Sequence, residues 1–172
     1  MKKIWIFIAL VFVALIAWWI YTAVPKGPDY SQVFDIQGSE HIAIDATHPS
    51  YNSNPPTSGW HYAEPAGEGF YDTSFPDERI VHNLEHGHIW IAYHPRIPDA
   101  IKNELKDNFS RVQRIITPRE ANDFDVSLVA WGRLDSFNLE NGVFDKDRIE
   151  NFMKRYVNRG PEKVMSGPAR RF

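Results

Sequence analysis

Lys2 and Lys3 are followed by an uncharged apolar run from Ile4 to Val24. At about 1.5 Å per residue the run reaches about 30 Å, the thickness of a bilayer's hydrocarbon core. It leaves through Trp18-Trp19-Ile20-Tyr21 rather than through small residues, and large amphipathic rings favour the lipid–water boundary. The pattern predicts an uncleaved membrane anchor over residues 1–24 rather than a cleaved secretory signal. With both lysines ahead of the run, the rest of the chain is expected to face outward from a bacterial cell membrane, as a single-pass protein. Residues 25–38, with Pro25, Gly27 and Pro28, are expected as a short tether.

Beyond residue 38 the pattern changes. His41–Ile44 suits a short strand, and the stretch from Asp45 to Phe75 has no period and is rich in Pro, Gly, Asn and Ser. A loop of that length inside a domain is usually functional or disordered. Its aromatics (Tyr51, Trp60, Tyr62, Phe70, Tyr71) favour an ordered loop wrapped on the domain. Pro76-Asp77-Glu78 opens a helix that Gly87 stops, giving a short helix over Asp77–His86. His88–His94 alternates as a strand. Pro98–Phe109 spaces Ile101, Leu105 and Phe109 four apart, an amphipathic helix. Val112–Thr117 and Val126–Trp131 read as strands and Asp145–Val157 as a last helix. The sum is an α+β domain over residues 39–165, a small mixed sheet with two main helices and one short histidine-bearing helix, ending in a tail at 166–172.

Composition narrows the chemistry. The chain has 172 residues, no cysteine and a formal charge of -3. Disulfides, thiolate metal sites and thiol catalysis are excluded, and the charge argues against a nucleic-acid partner. Any metal must be held by histidine, carboxylate, methionine or backbone oxygen. Seven histidines and six tryptophans stand out.

The densest cluster is Val81-His82-Asn83-Leu84-Glu85-His86-Gly87-His88. On a helix, His82 and His86 are four apart and share a face, the spacing by which two imidazoles grip one ion. Leu84 points away and anchors the turn in the core. The second cluster, Tyr51 to His61, is stiffened by Pro55 and Pro56 and turned by Gly59. So fixed a loop suits His61 as a third ligand. His41, at the start of the first strand, and Glu85, on a flanking helix face, are candidates to complete the set. His48, His88 and His94 look less committed. Met165 is weak evidence for a further ligand.

The segments YNSNPPTSGWH, VHNLEHGHIWIAYHP, VAWGR and FMKRYVNRGPE together resemble the bacterial "domain of unknown function 3105" family. The resemblance spans about residues 39–165. It implies a membrane-anchored or exported domain and singles out His41, Pro55, Pro56, Ser58, Gly59, His61, His82, Glu85, His86 and Gly87. It implies no activity.

Three readings follow. The first is an outward-facing domain that binds copper or zinc through His61, His82 and His86, with His41 or Glu85 completing the site. Histidine-rich ligation suits both ions, and the affinity order favours copper. The second is a zinc hydrolase, since His82-Asn83-Leu84-Glu85-His86 spells H-x-x-E-H. That motif needs a long helix, and Gly87 ends this one at once. The third is a cell-envelope interaction domain without metal, whose aromatic loop docks an unidentified protein partner. More weight falls on binding than on catalysis.

Overall fold

The computed structural model describes residues 2–162; Met165 and the tail at 166–172 lie outside them. Helix α1 (Lys2–Ala23) contains a stretch, Ile4–Thr22, long and apolar enough to cross a membrane, none of it buried against the rest of the protein. The remaining elements are β1 (Gln32–Val33), β2 (His41–Ile42), β3 (His61–Tyr62), β4 (Gly69–Phe70), α2 (Asp77–Glu85), β5 (Ile89–Tyr93), α3 (Asp99–Phe109), β6 (Arg114–Pro118), β7 (Val126–Ala130), β8 (Arg133–Phe137) and α4 (Lys146–Tyr156). This is an α+β fold built on a mixed sheet.

The main sheet runs β1-β8-β7-β5-β6-β4. Strand β5 is parallel to β6 and antiparallel to β7, while β4 is parallel to β6. A parallel pair needs a crossover, and α3 supplies it between β5 and β6. Every residue of β5 is buried because the sheet is covered on both faces. Ile89, Ile91 and Tyr93 pack with Ile101, Leu105 and Phe109 of α3 and with Ile149 and Phe152 of α4. Trp90 and Ala92 turn the other way, toward Ile80 and Leu84 of α2. Each isoleucine so enclosed contributes about 1.5–3 kcal/mol relative to exposure.

Helix α4 starts at Asp145, whose carboxylate accepts the Arg148 amide at 3.0 Å, an N-cap that satisfies one of the helix's free donors. The strand expected over His41–Ile44 is shorter, β2 covering His41–Ile42, and it pairs with β3 in a separate two-stranded ribbon rather than joining the main sheet. Strand β8 has no counterpart in the hydrophobic pattern. Its centre is Asp135, 3% exposed, which holds Arg148 of α4 at 2.5 Å, so a buried ion pair stands where alternation calls for an apolar residue. Within residues 25–38, β1 pairs with β8. Asn151 donates to the Pro28 carbonyl at 2.7 Å.

Candidate metal centre

The site begins with the β2–β3 ribbon. The strands are parallel with His41 opposite His61 and Ile42 opposite Tyr62. Register partners project from the same face, so the two imidazoles meet edge-on with centroids 4.8 Å apart.

The ribbon is held by the loop that leads into it. Thr57 and Ser58 are fully buried. Ser58 Oγ accepts the Gln37 amide at 3.1 Å, and the Gly59 and His61 amides donate to the Gly38 and Glu40 carbonyls. The Tyr51 hydroxyl donates to the Trp60 carbonyl at 2.6 Å. Gly59 has φ +114, and a Cβ there would press on the Tyr51 ring at 3.2 Å. The left-handed φ favours glycine, and any larger residue would also push the Tyr51 ring aside. The Asn54–Pro55 bond is cis.

Helix α2 brings the third ring. Ile80 and Leu84 are fully buried against the sheet, and Asn83 clamps the helix to the loop through both the amide and the carbonyl of Ala66, each at 2.9 Å. That orientation sends His82 toward the ribbon, with centroids 5.0 Å from His41 and 5.1 Å from His61. One ligand nitrogen from each of His41, His61 and His82 lies within 4.8 Å of the other two.

Hydrogen bonds fix which nitrogens are free. The Nδ1 of His61 is 2.7 Å from the Gly59 carbonyl, and the Nδ1 of His82 is 2.6 Å from the Tyr62 carbonyl. A carbonyl only accepts, so both Nδ1 atoms carry the proton and donate. In the neutral rings, each Nε2 is then left as a lone pair. Metal-ligating histidines have this arrangement, with the second nitrogen tied to a carbonyl that sets tautomer and ring orientation.

Glu85 completes the buried part. Its Oε2 is 3.1 Å from His61 Nε2, with side-chain exposures of 3% and 0%. Ligand atoms about 2.0–2.1 Å from a tetrahedral ion stand about 3.4 Å apart, so this pair already has the spacing of two neighbouring ligands. The histidine nitrogens stand up to 4.8 Å apart, wider than that spacing. His41 is the solvent-exposed member, while His61 and His82 are 0% and 5% exposed. Burial holds the His82 pKa below the usual imidazole value; the Tyr62 carbonyl pulls it up, and the neighbouring His86, His61 and His41 push it further down.

His86 keeps its ring beside that of His82, as a spacing of four residues implies. It is the residue that caps α2 at its C-terminus. Its ring is 4.6 Å from that of His82, yet it is not one of the three converging histidines. Its Nδ1 is buried without a hydrogen-bond partner among the described residues, 3.6 Å from Glu162 Oε2. The chain brings Glu162 there because residues 158–162 wrap the end of α2. The Asn158 amide donates to the Gly87 carbonyl, and the Glu162 amide donates to the Glu85 carbonyl.

The other histidines have other work. His48 bonds Glu78 at 3.1 Å and stacks near Trp60. His88 lies beside Asn83 and Glu68. His94 Nδ1 accepts the Arg96 amide at 3.0 Å. The carbonyls of Gly59 and Tyr62 are the functional groups that sequence reasoning overlooks, since a backbone acceptor leaves no mark in residue type.

No curated protein and no solved structure matches the chain. A family model described as "Protein of unknown function (DUF3105)" matches residues 43–167. The match takes in His61, His82, Glu85 and His86, and His41 lies two residues ahead of it. By that match, which covers most of its length, the chain belongs to the DUF3105 family.

Proposed function

We propose that this chain is a membrane-anchored, outward-facing domain that binds copper or zinc through His41, His61 and His82, with Glu85 beside them as a fourth donor. The observation that carries this reading is the pair of carbonyl contacts, Gly59 to His61 and Tyr62 to His82. They leave two lone pairs facing a third imidazole. Building such an array without a cation to bind would leave buried acceptors opposed. Three imidazoles and a carboxylate form a donor set that suits zinc or copper(II).

The exit of α1 through Trp18 and Trp19, and the position of Lys2 and Lys3 before it, support retention in the membrane with the domain outside. The hydrolase reading draws less support. Hydrolysis by H-x-x-E-H needs Glu85 facing open water next to the ion, whereas its carboxylate is 3% exposed and engaged by His61.

The test is elemental analysis of the full-length protein in detergent, before and after chelation and reloading. About one copper or zinc per chain, lost in His82→Ala and retained in His48→Ala, supports the reading. A protein that takes up neither ion overturns it, as does equal uptake by wild type and His82→Ala.

A further inference from the structure

A second feature lies where α1 leaves the apolar stretch. A cavity of 570 Å³ opens between the last turn of α1 and the C-terminal half of α4. Its lining includes Trp19, Val24, Lys154, Arg155, Tyr156 and Arg159, and no carboxylate. Trp19 belongs to the Ile4–Thr22 stretch, so with α1 in a bilayer the cavity lies at headgroup depth, where Trp and Tyr rings concentrate. Three cations in one cavity at that depth are complementary to a phosphate diester.

The cations are only partly neutralised by the protein. Lys154 has Glu150 at 3.9 Å, and Arg159 is exposed. The Asp29 carboxylate, beside Tyr156, is bonded to the Tyr156 hydroxyl and the Ser31 amide and offsets part of the Arg155 charge. Arg155 spends one Nη on the Gly27 carbonyl at 2.9 Å, and its Nε–H is buried without an acceptor among the described residues. A buried guanidinium donor left idle costs free energy unless an acceptor arrives.

We infer that this cavity binds the headgroup of an anionic phospholipid, which seats the domain on the membrane surface. The inference rests on α1 remaining in the membrane. It is independent of the metal reading, because a His82→Ala chain that takes up no metal keeps its lipid preference.

The test uses the full-length protein in detergent, with bound lipid counted by native mass spectrometry. Phosphatidylglycerol and phosphatidylcholine with identical acyl chains are titrated in parallel. Phosphatidylglycerol is expected to be retained about tenfold more tightly, the effect of one or two uncompensated cations. The exposed pair Lys154→Gln/Arg159→Gln erases that preference while thermal unfolding stays in place. Lys102→Gln/Lys106→Gln, on α3, preserves it. Equal retention of the two lipids overturns the inference, as does an equal loss in the α3 variant, which signals bulk charge. Displacement of phosphatidylglycerol by inorganic phosphate alone marks a free-anion site and overturns it too.

Discussion

The Nε2 of His61 faces the Oε2 of Glu85 at 3.1 Å in the interior, while the Gly59 carbonyl holds the other ring nitrogen of His61. With Nδ1 donating, a neutral His61 and an ionised Glu85 would oppose two acceptors. A metal cation between them resolves the conflict, because both groups then donate to it. Zinc affinity measured by calorimetric titration is expected to fall about tenfold or more in Glu85→Gln, which loses the charged donor beside His61. Equal zinc affinity in wild type and Glu85→Gln contradicts the account.

Removing one member of the pair strands the other. His61→Ala leaves the Glu85 carboxylate buried without its partner and is expected to cost about 3 kcal/mol or more. Adding Glu85→Gln to the same chain recovers part of the loss, because an amide tolerates burial better than an unpaired charge. Denaturant unfolding in metal-free buffer measures both. A His61→Ala penalty below about 1 kcal/mol is evidence against the pairing.

Acid and base act on different histidines. Burial holds His82 and His88 below the ordinary imidazole value of 6.5. Below that value the unfolded chain takes up protons that the folded chain resists. Folding stability is therefore complete above pH 6.5 and declines as the pH falls through the folded values, and metal affinity declines with it. His48 behaves oppositely, because its bond to Glu78 raises its pKa. Its stabilisation is complete below 6.5 and is lost as the pH rises through the raised folded value. The stability difference between wild type and His48→Gln, followed by chemical denaturation from pH 5 to 9 (about the imidazole range), is expected to shrink toward the alkaline end. A difference that grows with pH contradicts the sign.

Two glycines set the end of the histidine helix. At Gly160 an added methyl would overlap the Glu85 carbonyl and the Gly87 amide nitrogen, both backbone atoms. Gly87 has φ +79, and a Cβ added there would lie 2.8 Å from the Asn158 Cα. Gly160→Ala and Gly87→Ala are each expected to lower stability by about 1–3 kcal/mol through forced backbone displacement. Thermal unfolding tests this, with Gly142→Ala as the comparison, where φ is +76 but a Cβ meets nothing within 4 Å, so that only the left-handed backbone is penalised. Similar effects at all three positions refute a close-packing origin.

Much of the fold is legible in residue order. Ile101, Leu105 and Phe109 place α3 by spacing alone, and the alternation from His88 to His94 places β5. Strand β8 is hidden by Asp135, whose partner Arg148 lies on a different element. Strands β1, β3 and β4 are two residues each, too short for an alternating period to register. In the site, the proximity of His82 and His86 follows from helical spacing. The rigidity around Pro55 and Pro56 marks His61 as a fixed residue, while its meeting with His82 depends on the clamp of Asn83 to Ala66. The seating of His41 directly opposite His61 is a matter of strand register, which is set by long-range pairing. The end of α2 is likewise fixed by Gly160 and Glu162, which reach it from beyond the last helix.

The central claim is the identity of the three rings, and X-ray absorption at the metal edge counts them directly. The metal-loaded full-length protein is expected to show about three imidazoles at about 2.0 Å. The count falls by one in His41→Ala and is unchanged in His86→Ala. A spectrum that loses an imidazole in His86→Ala and keeps its full count in His41→Ala contradicts the assignment.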